Sequence, residues 1–509
     1  MKYLIGLDVG TSGAKALLID QEGTVLADST REYPLLTPRP NWAEQHPADW
    51  WEASHTAIAD VIGASGVDPA DIAGVGLSGQ MHGSVFLDAD NRVVRPAILW
   101  CDQRTAAQCE ALTSEIGAET VVAETLNPIL TGFQAPKIRW LADEEPDNYA
   151  RVAMVLLPKD YIRFMLTGEF ATEVSDASGT CLLNVPRRRW SGPMLDGLGL
   201  DAAKLPAVYE SPEVSGRINA PAAALTGLLE GTPVVGGAGD QAAGAVGNGI
   251  VRPGLISVTT GTSGVVFVYL DEPLMDEQLR THTFCHAVPG KWHTMGAMLS
   301  AGGSLRWMRD SLCDAEVGIA CNMGVDPYAL MTAQAAQAPL GCNGLIFLPY
   351  LTGERCPYPD PHARGVFFGL NLTHDKRHMI RAVLEGVSFG LRDCFELIAG
   401  LGVDFTQVRA SGGGSRSKLW RQVQADVLRH DICTINVDQG AAYGVALLAA
   451  VGAGLYDNVA DATDAAISVV DTTAPDAGRS EAYEGYYAIY RGLYQDLRER
   501  FADLADLVT

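Results

Sequence analysis

The sequence predicts an α/β protein built from two related halves, on three observations. Short apolar strands alternate with longer helical patterns along all 509 residues. The run Leu7-Asp8-Val9-Gly10-Thr11-Ser12-Gly13 is answered by Val258-Thr259-Thr260-Gly261-Thr262-Ser263-Gly264, with Gly10 and Gly261 251 positions apart. A chain of this length exceeds one core and suits two domains of about 250 residues.

In both copies an apolar run leads into Gly-Thr-Ser-Gly and then into a second apolar run, residues 14–19 or 265–270, which reads as a β-hairpin. Glycines flanking Thr-Ser let the turn tighten, so that amides and hydroxyls of Gly10, Thr11, Ser12, Thr260, Gly261 and Thr262 can cradle an anion. Two facing hairpins would make a phosphate clamp. Turn chemistry alone does not require the same four residues twice.

Between the hairpins, Pro47 opens a helix with Trp50, Trp51 and Ile58 on roughly one face, and residues 72–78 return as a strand. Residues 151–157 and 232–235 also read as strands. Gly-rich residues 236–239 end the latter, Asp240 follows, and a small-residue helix starts at Gln241. The second half repeats the plan, with strands near 256–258, 265–269 and 344–348 and a long helix near 378–398. Tyrosines 483, 486, 487, 490 and 494 give the final helix, 481–507, a packing face. The domains divide at 1–250 and 251–509, with a hinge near 249–254 over a cleft.

Composition narrows the class. A formal charge of −24 opposes nucleic acid and anionic membranes, but not a nucleotide held by a local nest of amides and a metal cation. No secretory h-region and no run of about 18 apolar residues occurs, so a soluble cytoplasmic protein is expected. Ten scattered cysteines without a CxxC pair read as reduced thiols. His282 and His286 would lie about 13 Å apart on one strand face, too far for one metal.

Asp8 begins the first turn where the second has Thr259, so only the first hairpin carries an acid able to hold hydrated Mg²⁺ against a phosphate. Asp240, after a Gly-rich strand end and before a helix, occupies the kind of position where open α/β sheets place active-site groups. It can cap that helix and still accept a proton. Gly412, Gly413 and Gly414 give a third backbone-lined approach for a nucleotide. No P-loop motif is present, and the GxGxxG at 74–79 runs into Gln80 rather than a helix, which argues against a dinucleotide site. Gln80-Met81-His82-Gly83 and Trp100-Cys101-Asp102-Gln103-Arg104 mix apolar walls with directed polar groups, which suits a polyol.

These motifs, in this order, resemble the FGGY family of carbohydrate kinases, over nearly the whole chain. The most specific match is Gly365-x-Phe367-x-Gly369-Leu370, seven residues, then His378-Met379-x-x-Ala382-Val383-Leu384-Glu385. A first signature is similar at 132–144, with Gln134 where the family usually has Pro, Ser or Thr. Gly79-Gln80-Met81-His82-Gly83 resembles the motif of the family's xylulokinase branch, as do Trp42-x-Glu44-Gln45, Pro158-Lys159-Asp160-Tyr161, residues 175–180 and Tyr350-Leu351-Thr352-Gly353-Glu354-Arg355.

The resemblance implies two actin/hexokinase-like (ribonuclease H-like) domains flanking an active-site cleft, with ATP and Mg²⁺ as cofactors. It implies Asp240 as catalytic base, Asp8 on the metal side, and Met81 and His82 as sugar contacts; Gln80, Trp100, Asp102, Arg104 and Gln241 stand beside them as candidate sugar-binding residues. The implied reaction phosphorylates the terminal hydroxyl of a ketopentose, D-xylulose first; Gln241 stands where Asn is common, so ribulose and other ketoses stay open. Phosphoryl transfer needs little nucleophile activation, so even a carboxylate of ordinary solution pKa can serve as base. A homodimer is compatible with the resemblance. Two other classes stay open: an actin- or chaperone-like ATPase indifferent to sugars, and a silent sugar sensor.

Overall fold

Two seven-stranded mixed sheets carry the chain, and a computed structural model describes residues 1–508 of it. Each sheet begins with an antiparallel trio: Tyr3–Val9, Gly13–Asp20 and Val25–Glu32 in the first, Gly254–Thr260, Gly264–Leu270 and Trp292–Met298 in the second. Beside the opening strand lies a parallel neighbour, Ile72–Gly79 or Phe405–Ser411, and each pairing slips register after its first residue, at Tyr3/Leu4 and at Gly254/Leu255. A further parallel strand follows, Pro233–Val235 or Ile432–Ile435, then an antiparallel edge, Val214–Arg217 or Val469–Thr473. The helices Pro47–Ser65 and Lys376–Gly400 precede the parallel neighbours at equivalent points. The repeated pairing and the shared slip make the two-domain α/β duplication visible beyond the turn motif.

Strand alternation sorts the opening strand into two faces. Ile5, Leu7 and Val9 pack with Trp50, Ala57 and Ile58, whereas Leu4, with Leu17 and Ile19, packs with Ala442, Val445 and Ala446. The helix Ala441–Gly452 of the second half therefore lies on the first sheet. It lies there backbone to backbone: a Cβ on Gly6 would sit 1.8 Å from Ala442 O, one on Gly76 1.9 Å from Val445 O, and one on Gly444 1.9 Å from Ala243 O. Gly74 and Gly76 of the GxGxxG segment serve this contact inside the strand Ile72–Gly79, whereas Gly79 meets Lys159 and Val9. Asp8 shares the Gly6 face two residues on, and its cross-strand partner Lys15 donates from Nζ to Gln439 Oε1 (2.5 Å) just before the helix begins.

Two expected strands are shorter. Pro146 opens a helix, Pro146–Arg151, so only Met154–Leu156 is extended. Left-handed Gly341, Cys342 and Asn343 keep 344–345 out of the strand Ile346–Leu348. The final helix, Ala477–Val508, buries Tyr483, Tyr487, Tyr490 and Tyr494 as the spacing predicts. No helix among the described residues is long and apolar enough to cross a membrane.

Candidate active site

Three parallel strand ends meet in register, Val9 beside Gly79 and Gly79 beside Gly239. Asp8 projects from the first, Gln80 follows the second, and Asp240 follows the third as the first residue of the helix Asp240–Gly247. Asp8 Oδ1 is buried without a hydrogen-bond partner among the described residues. Burial raises its pKa, opposed by Ser78 and by Lys15 across the hairpin. Burial, and then the Asp8 charge, push Asp240 up to about 7 against the Gln241 amide and side chain. A carboxyl enclosed near a second carboxyl resists ionisation.

Two facing carboxylates, with the nearby ammonium of Lys15 already bonded to Gln439, suit a divalent cation. No cluster of three or more His, Cys, Asp or Glu side chains forms a metal site among the described residues. Such donors fit Mg²⁺, which keeps most of its waters and takes one or two carboxylates plus phosphate oxygens.

The first hairpin is braced from behind. Gly10 O accepts from Tyr33 OH (2.5 Å), Thr11 O accepts from Gln45 Nε2 (2.8 Å), and the Thr11 hydroxyl donates to Gln80 Oε1 (3.3 Å) while accepting from Trp100 Nε1 (2.9 Å). In the second hairpin, Gly261 O and Thr262 O accept from the amides of Gly302 and Gly303 (2.7 and 3.0 Å). The amides of Thr11, Ser12, Gly261 and Thr262 have no internal acceptor among the described residues. Carbonyls satisfied from within and amides left open are what an anion cradle requires. Thr260 is buried, its hydroxyl accepting from Gln424 Nε2 (3.0 Å), and the Thr262 hydroxyl accepts from Arg306 Nη2 (2.5 Å). Gly412 and Gly414 are needed by Thr260, whose atoms a Cβ at either would meet at 2.8 and 2.5 Å, whereas Gly413 faces open space.

Met81 and His82 line the way from Asp240. A Cβ on Gly239 would lie 2.9 Å from Met81 Cγ, and one on Gly179 2.4 Å from His82 Nδ1. His82 takes φ +68°, fixed by Lys137 Nζ donating to its carbonyl (2.8 Å) and by a 2.7 Å contact between Nδ1 and Gly179 O. Burial lowers its pKa to about 3, so the ring is neutral. Nδ1–H then donates to Gly179 O and Nε2 is left as an acceptor. Phe133 packs on the ring at 4.7 Å.

Other sequence-predicted residues sit in the frame. The Gln80 amide is spent on Gly10 O, Gln45 and Thr11. Asp102 accepts from Ala43 N (2.7 Å) and pairs with Arg104 Nη2 (2.6 Å); Arg104 also reaches Glu44 and lies over Trp42 at 3.5 Å. Trp100 is 38% exposed at the mouth, and Gln241 bonds the Asp240 carboxyl.

A buried group escaped the sequence reading. Arg163 donates to Val235 O (2.5 Å) and Gly236 O (2.6 Å), and Ser175 Oγ accepts from Gly239 N (3.1 Å) while donating to Glu173 (2.9 Å). Lys159 Nζ neutralises Asp160 and Asp176 at 2.8 and 3.1 Å. Together they hold the strand end that presents Asp240. The motifs at 158–161 and 175–180 held Lys159, Asp160, Ser175 and Asp176 without a role attached, and Arg163 and Glu173 lie outside them.

The model of the FGGY family of carbohydrate kinases matches as its N-terminal domain over residues 3–247 and as its C-terminal domain over 256–453. The chain is 39% identical to the xylulose kinase of Escherichia coli (strain K12), covering 97% of this chain and 99% of that one. It is 37% identical to the xylulose kinase of Bacillus subtilis (strain 168), covering 98% of each. The crystal structure of xylulose kinase from Rhodospirillum rubrum superposes with a TM-score of 0.89 at 32% identity, covering 98% of this chain and all of that one.

Proposed function

Because the chain belongs to the FGGY family of carbohydrate kinases, we propose that it transfers the γ-phosphoryl group of ATP to the terminal hydroxyl of D-xylulose, giving D-xylulose 5-phosphate. The observation that carries the reading is the juxtaposition of Asp240 with Asp8 on one side and Met81–His82 on the other. The names of the relatives support the choice of sugar.

In this reading Met81 gives the sugar an apolar wall and neutral His82 accepts from a hydroxyl through Nε2. That places the terminal hydroxyl at Asp240, which orients it and takes its proton as the bond to phosphorus forms. A loose transition state asks for positioning and charge stabilisation more than for a strong base. The open amides of the two hairpins hold the phosphates, and Gly413 borders the adenosine. Asp8 would hold Mg²⁺ through water, and the cation would supply charge neutralisation on the phosphates and offset the Asp8 charge that raises Asp240. We place the hinge between 249 and 254 and the reaction in the cytoplasm, where ATP is supplied.

The test is ADP release with Mg-ATP against D-xylulose, D-ribulose, L-ribulose, L-xylulose and glycerol, with a no-sugar control. The expected result is a preference for D-xylulose of tenfold or more in kcat/KM, about 1.4 kcal/mol in transition-state binding. Turnover indifferent to every sugar overturns the kinase reading in favour of an ATPase.

A further inference from the structure

Arg355 belongs to a loop of the second half that is pinned on both sides. Glu354 Oε1 accepts from Leu299 N (2.9 Å) and from Arg355 N (2.7 Å). Cys356 is buried against Gly296, whose Cβ would lie 3.1 Å from Cys356 Sγ. Both anchors are at the end of the strand Trp292–Met298, and Met295 of that strand is the register partner of His282. The loop therefore lies against the strand that pairs with His282, Cys356 on the Gly296 face and His282 on the Met295 face. The Arg355 guanidinium makes no hydrogen bond or close ion pair among the described residues and is only partly exposed. Its charge acts on both His82 and His282. Its five N–H donors have no protein acceptor among the described residues and are free to meet acceptors from a ligand.

His282 offers the complementary chemistry. Asn127 Nδ2 donates to Thr125 O (2.9 Å) and Thr283 O (2.8 Å), which fixes Asn127 Oδ1 as the acceptor facing His282 Nδ1 at 3.1 Å. Burial holds this imidazole neutral, its pKa lowered to about 3. Nδ1 thus carries the proton and Nε2 accepts. The wall continues from His82 through Phe133, 4.7 Å from His82 and 6.2 Å from His282. Counting outward from Asp240, the order is Met81, His82, Phe133, then His282 with Arg355.

Resting on the kinase reading, we propose that Arg355 and His282 bind the ketose end of the sugar, remote from Asp240. The guanidinium donates to the carbonyl oxygen and a neighbouring hydroxyl, and His282 Nε2 accepts from a hydroxyl. The sugar pocket is then completed by the second half of the chain. It is also tied to the nucleotide side: Leu299, held by Glu354, leads directly into the segment whose Ala301 amide donates to Thr262 O (2.9 Å) in the second hairpin.

The experiment compares the full-length wild type with Arg355→Met and Arg355→Lys. ADP release is measured over D-xylulose and ATP concentrations, and melting temperatures are recorded. Arg355→Met is expected to raise the D-xylulose KM at least tenfold with the ATP KM within twofold, and Arg355→Lys to recover part of the loss. A sugar KM within twofold of wild type in both variants overturns the proposal. So does a parallel rise in both KM values with a lower melting temperature in both variants, which assigns Arg355 to holding the loop. A wild type that responds to no sugar overturns the kinase reading itself, and this proposal with it.

Discussion

The Asp8 carboxylate stands close enough to Asp240 that its charge, added to burial, holds Asp240 at about pKa 7. The rate should follow the ionised form of the base, and a cation held at Asp8 would offset one cause of the elevation, so kcat/KM for the sugar is expected to rise with pH along a limb at or below about 7 and then level. Asp8→Asn removes one cause of the elevation and should move this limb to lower pH while weakening the Mg²⁺ dependence. A limb that stays in place in the variant would separate Asp8 from Asp240.

Asp240→Asn should abolish turnover while leaving sugar binding detectable by tryptophan fluorescence. It should also stabilise the ligand-free protein. Asp240 has a folded pKa above its unfolded value, so the folded protein binds this proton more tightly. The penalty for ionising it grows as pH rises from about 4 and is complete above about 7. The variant is expected to melt higher than wild type at pH 8, with the gap closing toward pH 4. Equal melting temperatures at pH 8, or turnover near wild type, would remove the strain or the role.

The turn chemistry was legible because it is local: Gly-Thr-Ser-Gly needs no distant partner to specify a hairpin, and the same four residues mark both. Asp8 and Asp240 were legible for a related reason, since strand ends followed by glycines or a helix advertise a site. The roles of Gln80, Asp102 and Arg104 were not, because their partners Gln45, Ala43 and Glu44 arrive from a separate segment and consume the same polar atoms a sugar would use. Gly6 and Gly76 look like ordinary strand glycines until a helix from residue 441 onward is laid on them. His282 and Arg355 meet the first half only in the folded chain, and no spacing rule links them to His82.

Arg163 carries the strand end before Asp240 on two hydrogen bonds from a fully buried guanidinium. Arg163→Ala leaves Val235 O and Gly236 O unpaired and removes one of two cations facing buried Asp160, Glu173 and Asp176. Breaking such a group by removing one partner costs about 3–5 kcal/mol. Chemical denaturation should show that loss, and kcat should fall in the fraction that still folds. A variant within 1 kcal/mol of wild type would show that the strand end stands without it.

The contact of Gly6 with Ala442 O makes a second-half helix part of the first domain's surface. Any movement of one half against the other would have to slide or tilt the helix Ala441–Gly452 over the first sheet, because its backbone has no side-chain cushion on which to separate. A methyl group at Gly6 would occupy the space of the Ala442 carbonyl and force the helix outward. Overpacking of this kind costs about 1–3 kcal/mol, and more where backbone is the obstacle. The displaced helix also carries away Gln439, the partner of Lys15, beside Asp8. Gly6→Ala is therefore expected to lower the melting temperature and to raise the Mg²⁺ concentration needed for half-maximal turnover. Gly63→Ala, at a site where a Cβ meets nothing within 4 Å, should change neither. Parallel behaviour of the two variants would mean that the strand–helix contact relaxes freely and does not set the position of Asp8.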